Sequence, residues 1–552
     1  MSTPTAAPLD PVAHVHDLVQ LYGSPESSVA GLLCDRYPAE AVAYTVVEPD
    51  LSATVLTYGR LRADSERFAA ALAGLGVRPG DRVATLMGKS AGYLVALLGI
   101  WRLGAVHVPL FTAFAPPAIA LRLTGSGAKV VLCDEAQRPK LAPGEEMPAD
   151  PPWRIVVAGG QAPDLDFDEL LAAQEPGFPA AALGGEAPIV HIHTSGTTGR
   201  PKGVVVPAVA IAGFRAYVEY GIGLRDDDVY WCAADPGWAY GLYFGILGSL
   251  SVGVPSMLLH AGFSAELTWQ VLKRFGVTNF TAAPTVYRSL RASGTPAPGG
   301  LRLRSASSAG EPLTPEVNDW AVGALGVPVH DHYGQTEAGM LINNHHHPRL
   351  HRPLRPGSMG QAAPGWSVRV LYDDRDQVAP AGTLGRIAVD TRTSPLAWFT
   401  GYQDAPDKSS AKFTADGRWY LTGDAGMVRA DGYFQFSSRD DDVIIMAGYR
   451  IGPFEVESVL ATHPEVVESA VIAAPDDVRG EVLEAYVVPR DMRLAGETLV
   501  AELQQLVKTK FAAHAYPRAV HFTEALPKTP SGKIQRFLLR DRRRAELPVA
   551  RP

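Results

Sequence analysis

Residues 193–203 read His193-Thr194-Ser195-Gly196-Thr197-Thr198-Gly199-Arg200-Pro201-Lys202-Gly203. The stretch follows the apolar run Pro188-Ile189-Val190 and precedes Val204-Val205-Val206, which predicts strand, glycine-rich turn, strand. Gly196, Gly199 and Gly203 let the backbone turn tightly and come close to a ligand. Thr194, Ser195, Thr197 and Thr198 add hydroxyls, and Lys202 adds a point positive charge. Backbone N–H groups, hydroxyls and an ammonium form a concavity suited to a polyphosphate. The Walker A spacing is not met, because Pro201 stands in the second glycine's place and Gly203 follows the lysine.

Outward from this turn, the chain has the composition of an ordinary globular protein. It has 552 residues, 46% hydrophobic and 20% charged, with a formal charge of −8. That length calls for several domains at about 100–200 residues each. The acidic balance argues against a nucleic-acid surface. Cys34, Cys133 and Cys232 are far apart and form no metal-ligand spacing, which fits a reducing cytoplasm. The first 25 residues lack the basic start and apolar block of a signal peptide. Residues 239–259 carry no charge over the length of a membrane span, yet five glycines and prolines interrupt them, so a buried helix, turn and strand are expected.

Helical and strand patterns alternate on both sides of the turn, with a helix expected at 58–75, a strand at 82–87 and a helix at 90–103. This predicts an α/β fold with largely parallel sheets covered by helices. At Ser437-Ser438-Arg439-Asp440-Asp441-Asp442 the character changes to a charged crossing, followed by a compact α+β pattern. The expected division is a large multi-subdomain lobe over 1–438, a hinge over 439–443 and a small mobile lobe over 444–552. The arginines at 540–544 read as a solvated tail.

A second motif, Tyr333-Gly334-Gln335-Thr336-Glu337, adds a carboxylate. Near a triphosphate such a group needs a cation between them, so Glu337 is a candidate magnesium ligand. Tyr333 can stack on a base, and Thr336 can donate to a phosphate. Thr422-Gly423-Asp424 follows Trp419-Tyr420-Leu421, and an aspartate at a strand end is suited to ribose hydroxyls. His345-His346-His347 lacks the i, i+4 spacing of helical metal ligands and reads as a loop near the acyl or nucleotide pocket. His193 reads as a packed residue and not as a base.

Thr-Ser-Gly-Thr-Thr-Gly-x-Pro-Lys-Gly resembles the phosphate loop of the adenylate-forming superfamily, which includes acyl-CoA synthetases, stand-alone adenylation domains and luciferases. The chain carries further similar segments in order, from about residue 31 to residue 540. The resemblance implies that residues 194–199 and Lys202 hold the nucleotide's phosphates, Gly310-Glu311-Pro312 lies along the adenine, and Tyr333, Gly334 and Gln335 line the nucleotide. It implies that Asp424 with Arg439 binds the ribose, and that Lys202, Thr336 and Glu337 serve catalysis. Lys533, in Pro527-Lys528-Thr529-Pro530-Ser531-Gly532-Lys533, is implied to neutralise the carboxylate and α-phosphate during adenylation. It also resembles lysines that are reversibly acetylated, which removes the charge.

Gly448-Tyr449-Arg450-Ile451 resembles the loop lining the pantetheine tunnel, Asp441 matches the hinge, and Arg479 matches a CoA-side position of medium-chain synthetases. Ala515 departs from those relatives, which tend to carry lysine there. Trp238 matches a pocket-wall tryptophan, and Gly334 stands where acetate-specific relatives place tryptophan, so the acid is expected to be medium-chain, branched or aromatic.

The implied reaction joins a carboxylate to CoA through an acyl-adenylate, using ATP and magnesium. A carrier protein, an amine or an unusual oxyacid is the alternative, and a non-catalytic acyl sensor is the rival from another class. Expected partners are the acid, ATP, CoA, a lysine acetyltransferase and deacetylase, and a second copy of the chain.

Overall fold

The computed structural model describes residues 10–144, 146–161, 163–194, 201–439, 442, 444–446, 449–476, 480–512, 515–529 and 532–546. Residues Ser195, Gly196, Thr197, Thr198, Gly199, Asp441, Gly448 and Arg479 lie outside them, and Tyr449 and Arg450 are placed as backbone only.

Helices with an apolar face must bury it against another element, and two large sheets supply much of that surface here. One has eight strands among the described residues and includes Pro188–Thr194 and Lys202–Pro207. The other has nine and includes Asn279–Ala282, Ser305–Ala309 and Val329–Gln335. Both are parallel in the centre and antiparallel at an edge. The helix Ala91–Leu103 is buried from Tyr93 to Leu103, capped by the Ser90 hydroxyl and stopped by Gly104 at φ 79°. The uncharged segment folds as a wide helical turn Gly241–Gly248, a short helix Ser249–Val252 and the strand Ser256–Leu259, all in the core. No described helix is long and apolar enough to cross a membrane.

A four-stranded antiparallel sheet follows: Val368–Leu371, Gly385–Asp390, Trp419–Val428 and Phe434–Arg439. Asp424 is therefore not at a strand end. Its strand runs on to Val428, with a bulge between Ala425 and Gly426, and Thr422 Oγ1 donates to Ile387 O at 2.7 Å. Gly423 at φ 77° makes the local turn that aims the aspartate.

Past Arg439 a separate apolar core forms from Ile444, Met446, Val456, Leu460, Val471, Leu483, Leu503 and Val507. It packs the helices Pro453–Leu460 and Glu497–Lys510 on a sheet containing Val466–Asp476 and Gly480–Pro489. The arginine-rich end is no free tail. It forms the helix Arg536–Glu546, whose Arg540 pairs with Asp442 and whose Arg543 donates to Glu484 at 2.6 Å. Arg536 grips Glu457 at 2.7 Å and Asp442 at 3.7 Å. Carboxylates on the underlying surface turned a like-charged run into a docked helix.

Candidate active site

Three segments of the large lobe meet where the glycine-rich turn opens. Thr194 pairs with Lys202 across the antiparallel strands, so the turn's two ends face each other. Tyr402–Gln403 adds along the outer edge, with Tyr402 opposite Val204. The Lys202 ammonium lies 4.8 Å from the centre of the Tyr402 ring. Burial lowers the lysine's pKa, Lys408 adds to the effect, and Glu337 opposes it.

Asp424 is buried, at 4% exposure, and is engaged from three sides. Arg439 donates to Oδ1 at 2.9 Å, while Tyr333 Oη and Gln335 Nε2 donate to Oδ2 at 2.5 and 2.6 Å. A carboxylate has about four lone-pair positions. With three taken, two ribose hydroxyls fit only if one protein donor gives way, and half-exposed Arg439 is the most accessible of them. Tyr420 Oη donates to Gln335 Oε1 at 2.8 Å, which fixes the amide.

Glu337 is 8% exposed, and Tyr402 Oη donates to its Oε1 at 2.7 Å. The other oxygen stays free of protein donors among the described residues. One carboxylate beside a polyphosphate site suits magnesium, which keeps waters and substrate oxygens in its shell. The Thr336 carbonyl accepts from Tyr243 Oη at 3.0 Å, so that residue's backbone is anchored. Gly310, at φ 105°, turns the chain out of the strand Ser305–Ala309, and Glu311 pairs with Arg288 at 2.7 Å.

The small lobe enters through Lys533. Its turn is closed by Gly532 N donating to Thr529 O at 2.8 Å and Lys533 N to Thr529 Oγ1 at 3.1 Å. Gly532, at φ 89°, abuts the large lobe so closely that a Cβ there would lie 3.1 Å from Thr285 Cγ2. The lysine side chain keeps solvent contact at the cleft mouth. The surrounding walls still lower its pKa, Arg439 lowers it further, and Glu311, Asp424 and Glu337 oppose them.

Trp238 packs against Phe111 in a tilted contact and edge-on against Phe114, each ring centre 5.3 Å away. Gly334 does not open a pocket. A Cβ on it would lie 2.1 Å from Gly339 O on the paired strand Gly339–Asn343, at a register shift. The glycine is required by close backbone approach and not by room for an acyl group.

His193 stacks on His191 at 4.8 Å, and burial, then His191 and Arg122, push its pKa down to about 3. It is neutral and packed. The histidine run does approach others: His330, His332 and His346 bring ligand atoms within 4.8 Å of one another. Both nitrogens of His332 are committed, to Tyr217 Oη at 2.7 Å and Asn344 O at 3.0 Å. His330 and His346 stack face to face at 3.6 Å, with His330 Nδ1 2.7 Å from Asn344 O and His346 Nε2 3.1 Å from Ser307 Oγ. The cluster is hydrogen-bonded packing.

Sequence reasoning missed three residues here. Tyr402 holds both Lys202 and Glu337. Lys412 donates to Thr422 O at 2.8 Å and sits 5.6 Å from the Tyr420 ring centre. Asp331, two residues before Tyr333, has Oδ1 buried without a described partner beside the Glu311 segment. Burial pushes its carboxyl up to about 8, only partly offset by the Leu313 and His332 N–H groups. Its place in Asp331-His332-Tyr333-Gly334 was the available signal.

Fold and cleft together define a two-lobed, nucleotide-dependent enzyme. The chain belongs to the AMP-binding enzyme family: residues 16–402 match the AMP-binding enzyme and residues 455–533 the AMP-binding enzyme C-terminal domain. Acetyl-coenzyme A synthetase of Bacillus subtilis (strain 168) is 34% identical over 496 residues, covering 88% of this chain and 84% of the relative. The mitochondrial acyl-coenzyme A synthetase ACSM4 of Mus musculus is 35% identical over 473 residues, covering 84% and 80%. The crystal structure of Brucella canis acyl-CoA synthetase matches with a TM-score of 0.75 at 42% identity, covering 97% of this chain and 99% of that one.

Asp331 yields a pH prediction. The unfolded carboxyl loses its proton near about pH 4, and the folded one holds it to about 8, so stability falls as pH rises through that window. Urea unfolding at about pH 5 and about pH 7.5 should show wild type losing up to about 3 kcal/mol relative to Asp331→Asn. Parallel pH profiles for the two proteins would contradict the burial argument.

Proposed function

We infer that this protein is an AMP-forming acyl-CoA synthetase. An acid's carboxylate oxygen attacks the α-phosphorus of ATP, and the bond to pyrophosphate breaks, leaving acyl-AMP. The CoA sulfur, its proton lost to solvent, then attacks the acyl carbon, and AMP leaves with the mixed-anhydride oxygen. The family match over both lobes supports this, as does the 34–42% identity to acyl-CoA synthetases.

The observation that supports the residue assignments is the close approach of the Lys533 turn to the large lobe, where a Cβ on Gly532 would lie 3.1 Å from Thr285 Cγ2, while Glu311, Asp424 and Glu337 favour the lysine's charged form. In this reading Lys202 and residues 194–199 cradle the phosphates, and Glu337 holds magnesium, which screens the phosphate charge. Thr336 donates to the α-phosphate. Gly310, Glu311, Pro312, Tyr333 and Asp331 enclose the adenine, and Asp424 and Arg439 take the ribose. Lys533 neutralises charge as the anhydride forms, where a preorganised cation is most effective. Residues 1–438 then act as the nucleotide and acyl lobe, 439–443 as the hinge with Asp441, and 444–552 as the mobile lobe. After rotation, Gly448, Tyr449, Arg450 and Arg479 face CoA.

The acid in this reading is medium-chain, branched or aromatic, matched to the aromatic wall of Trp238, Phe111 and Phe114. The three buried free cysteines fit a reducing cytoplasm, and self-association is part of the proposal.

Two measurements check these assignments. Pyrophosphate release across an acid panel, with and without CoA, should favour hexanoate, 2-methylpropanoate or benzoate and turn over only with CoA. Acetate preference would contradict the acid class, and CoA-independent transfer to an amine or carrier protein would contradict the acceptor. Separately, a protein bearing acetyllysine at position 533 should lose adenylate formation and regain it on deacetylation. Full activity while acetylated would end the regulatory idea.

A further inference from the structure

Tyr402 occupies a junction that no part of the reaction scheme above uses. Its short strand Tyr402–Gln403 is antiparallel to Lys202–Pro207, the strand that leaves the glycine-rich turn. Close approach there depends on Gly203, since a Cβ would lie 2.3 Å from His191 Nε2 and 3.3 Å from Gln403 Cβ. The ring is fixed on the protein side by Phe399, 5.1 Å away at 66°. Ser409 Oγ accepts from the Tyr402 N–H at 2.8 Å, which fixes the backbone. A 7%-exposed phenol held this way has little rotamer freedom.

Its two functional faces point at different partners. The ring carries the Lys202 ammonium at 4.8 Å, a cation–π contact. The hydroxyl donates to Glu337 Oε1 at 2.7 Å. Lys202, Glu337 and Tyr402 come from three segments distant in sequence, and Tyr402 touches both of the others. The adjacent Tyr420 repeats the arrangement one step along the motif, donating to Gln335 at 2.8 Å beneath Lys412.

We propose that Tyr402 is a positioning residue for the nucleotide's phosphate end: it holds the Glu337 carboxylate in one orientation and Lys202 at the mouth of the turn. The proposal rests on the acyl-CoA synthetase reading. Tyr402 acts through its two neighbours and touches no reacting atom. A merely packed tyrosine would contribute to stability and be indifferent to what stands at position 337.

The test is a double-mutant cycle read by calorimetric binding of Mg-ATP to wild type, Tyr402→Phe, Glu337→Gln and the double variant, with a melting temperature for each. Phenylalanine keeps the ring and the lysine contact and removes only the donor. The expected result is binding weakened about five- to tenfold by Tyr402→Phe in wild type, and less than about twofold when position 337 is glutamine. Equal factors in the two backgrounds would overturn the role of Tyr402 and leave the functional reading standing. So would a Tyr402→Phe protein with wild-type affinity, including one that melts more than about 5 °C lower, which would mark a packing role. Wild-type protein that binds no Mg-ATP would overturn the functional reading and this proposal with it.

Discussion

The carboxylate of Asp424 is buried and yet ionic, and most of the cleft is arranged to make that tolerable. An isolated buried charge costs several kcal/mol, so the fold brings donors to it from separate segments. Tyr333 and Gln335 come from the strand Val329–Gln335 of the nine-stranded sheet, and Arg439 comes from the end of Phe434–Arg439 in the antiparallel sheet. The interaction ties these sheets together at the point where the chain leaves for the small lobe. It also helps set the orientation of Thr336 and Glu337, which sit in the turn that follows Gln335 at the strand's end.

Around this node the charges are unequal in a telling way. Lys202, Lys412 and Lys533 all have lowered pKa values, with desolvation by the surrounding protein as the largest cause in each case. Glu337, Asp424 and Glu311 counter the effect without reversing it. Such a cleft stores positive potential that an anion would relieve, and a nucleotide triphosphate is the anion the family uses. The small lobe brings the third of these lysines as part of a braced unit. Arg536, three residues after Lys533, is locked to Glu457 and Asp442, so the lysine's turn is coupled to the segment through which the chain enters the small lobe.

Much of this was legible in the sequence because the chemistry constrains residue type locally. Glycines, hydroxyls and a lysine within eleven positions mark a candidate polyphosphate turn, and the structure describes the two strands that flank it. The α/β alternation was equally plain from periodicity. What escaped depends on contacts between distant segments. Tyr402 is an ordinary strand tyrosine until Glu337, sixty-five residues earlier, is folded against its hydroxyl. The arginines at 540–544 read as a tail because sequence does not show Glu484 and Asp442 beneath them. Gly334 was read correctly as a special position and for the wrong reason. A missing side chain signals either space for a ligand or no space for a Cβ, and only the 2.1 Å approach of Gly339 O decides between them.

The central claim is that a cation delivered by one lobe completes a nucleotide site built by the other, for the first chemical step alone. Separating the half-reactions of Lys533→Ala tests it most directly. Acyl-adenylate formation from ATP and acid should fall at least about a hundredfold, as for loss of a preorganised charge at the reacting phosphate, while thioester formation from supplied acyl-adenylate and CoA stays near the wild-type rate. Equal loss in both half-reactions, or in neither, would contradict the account.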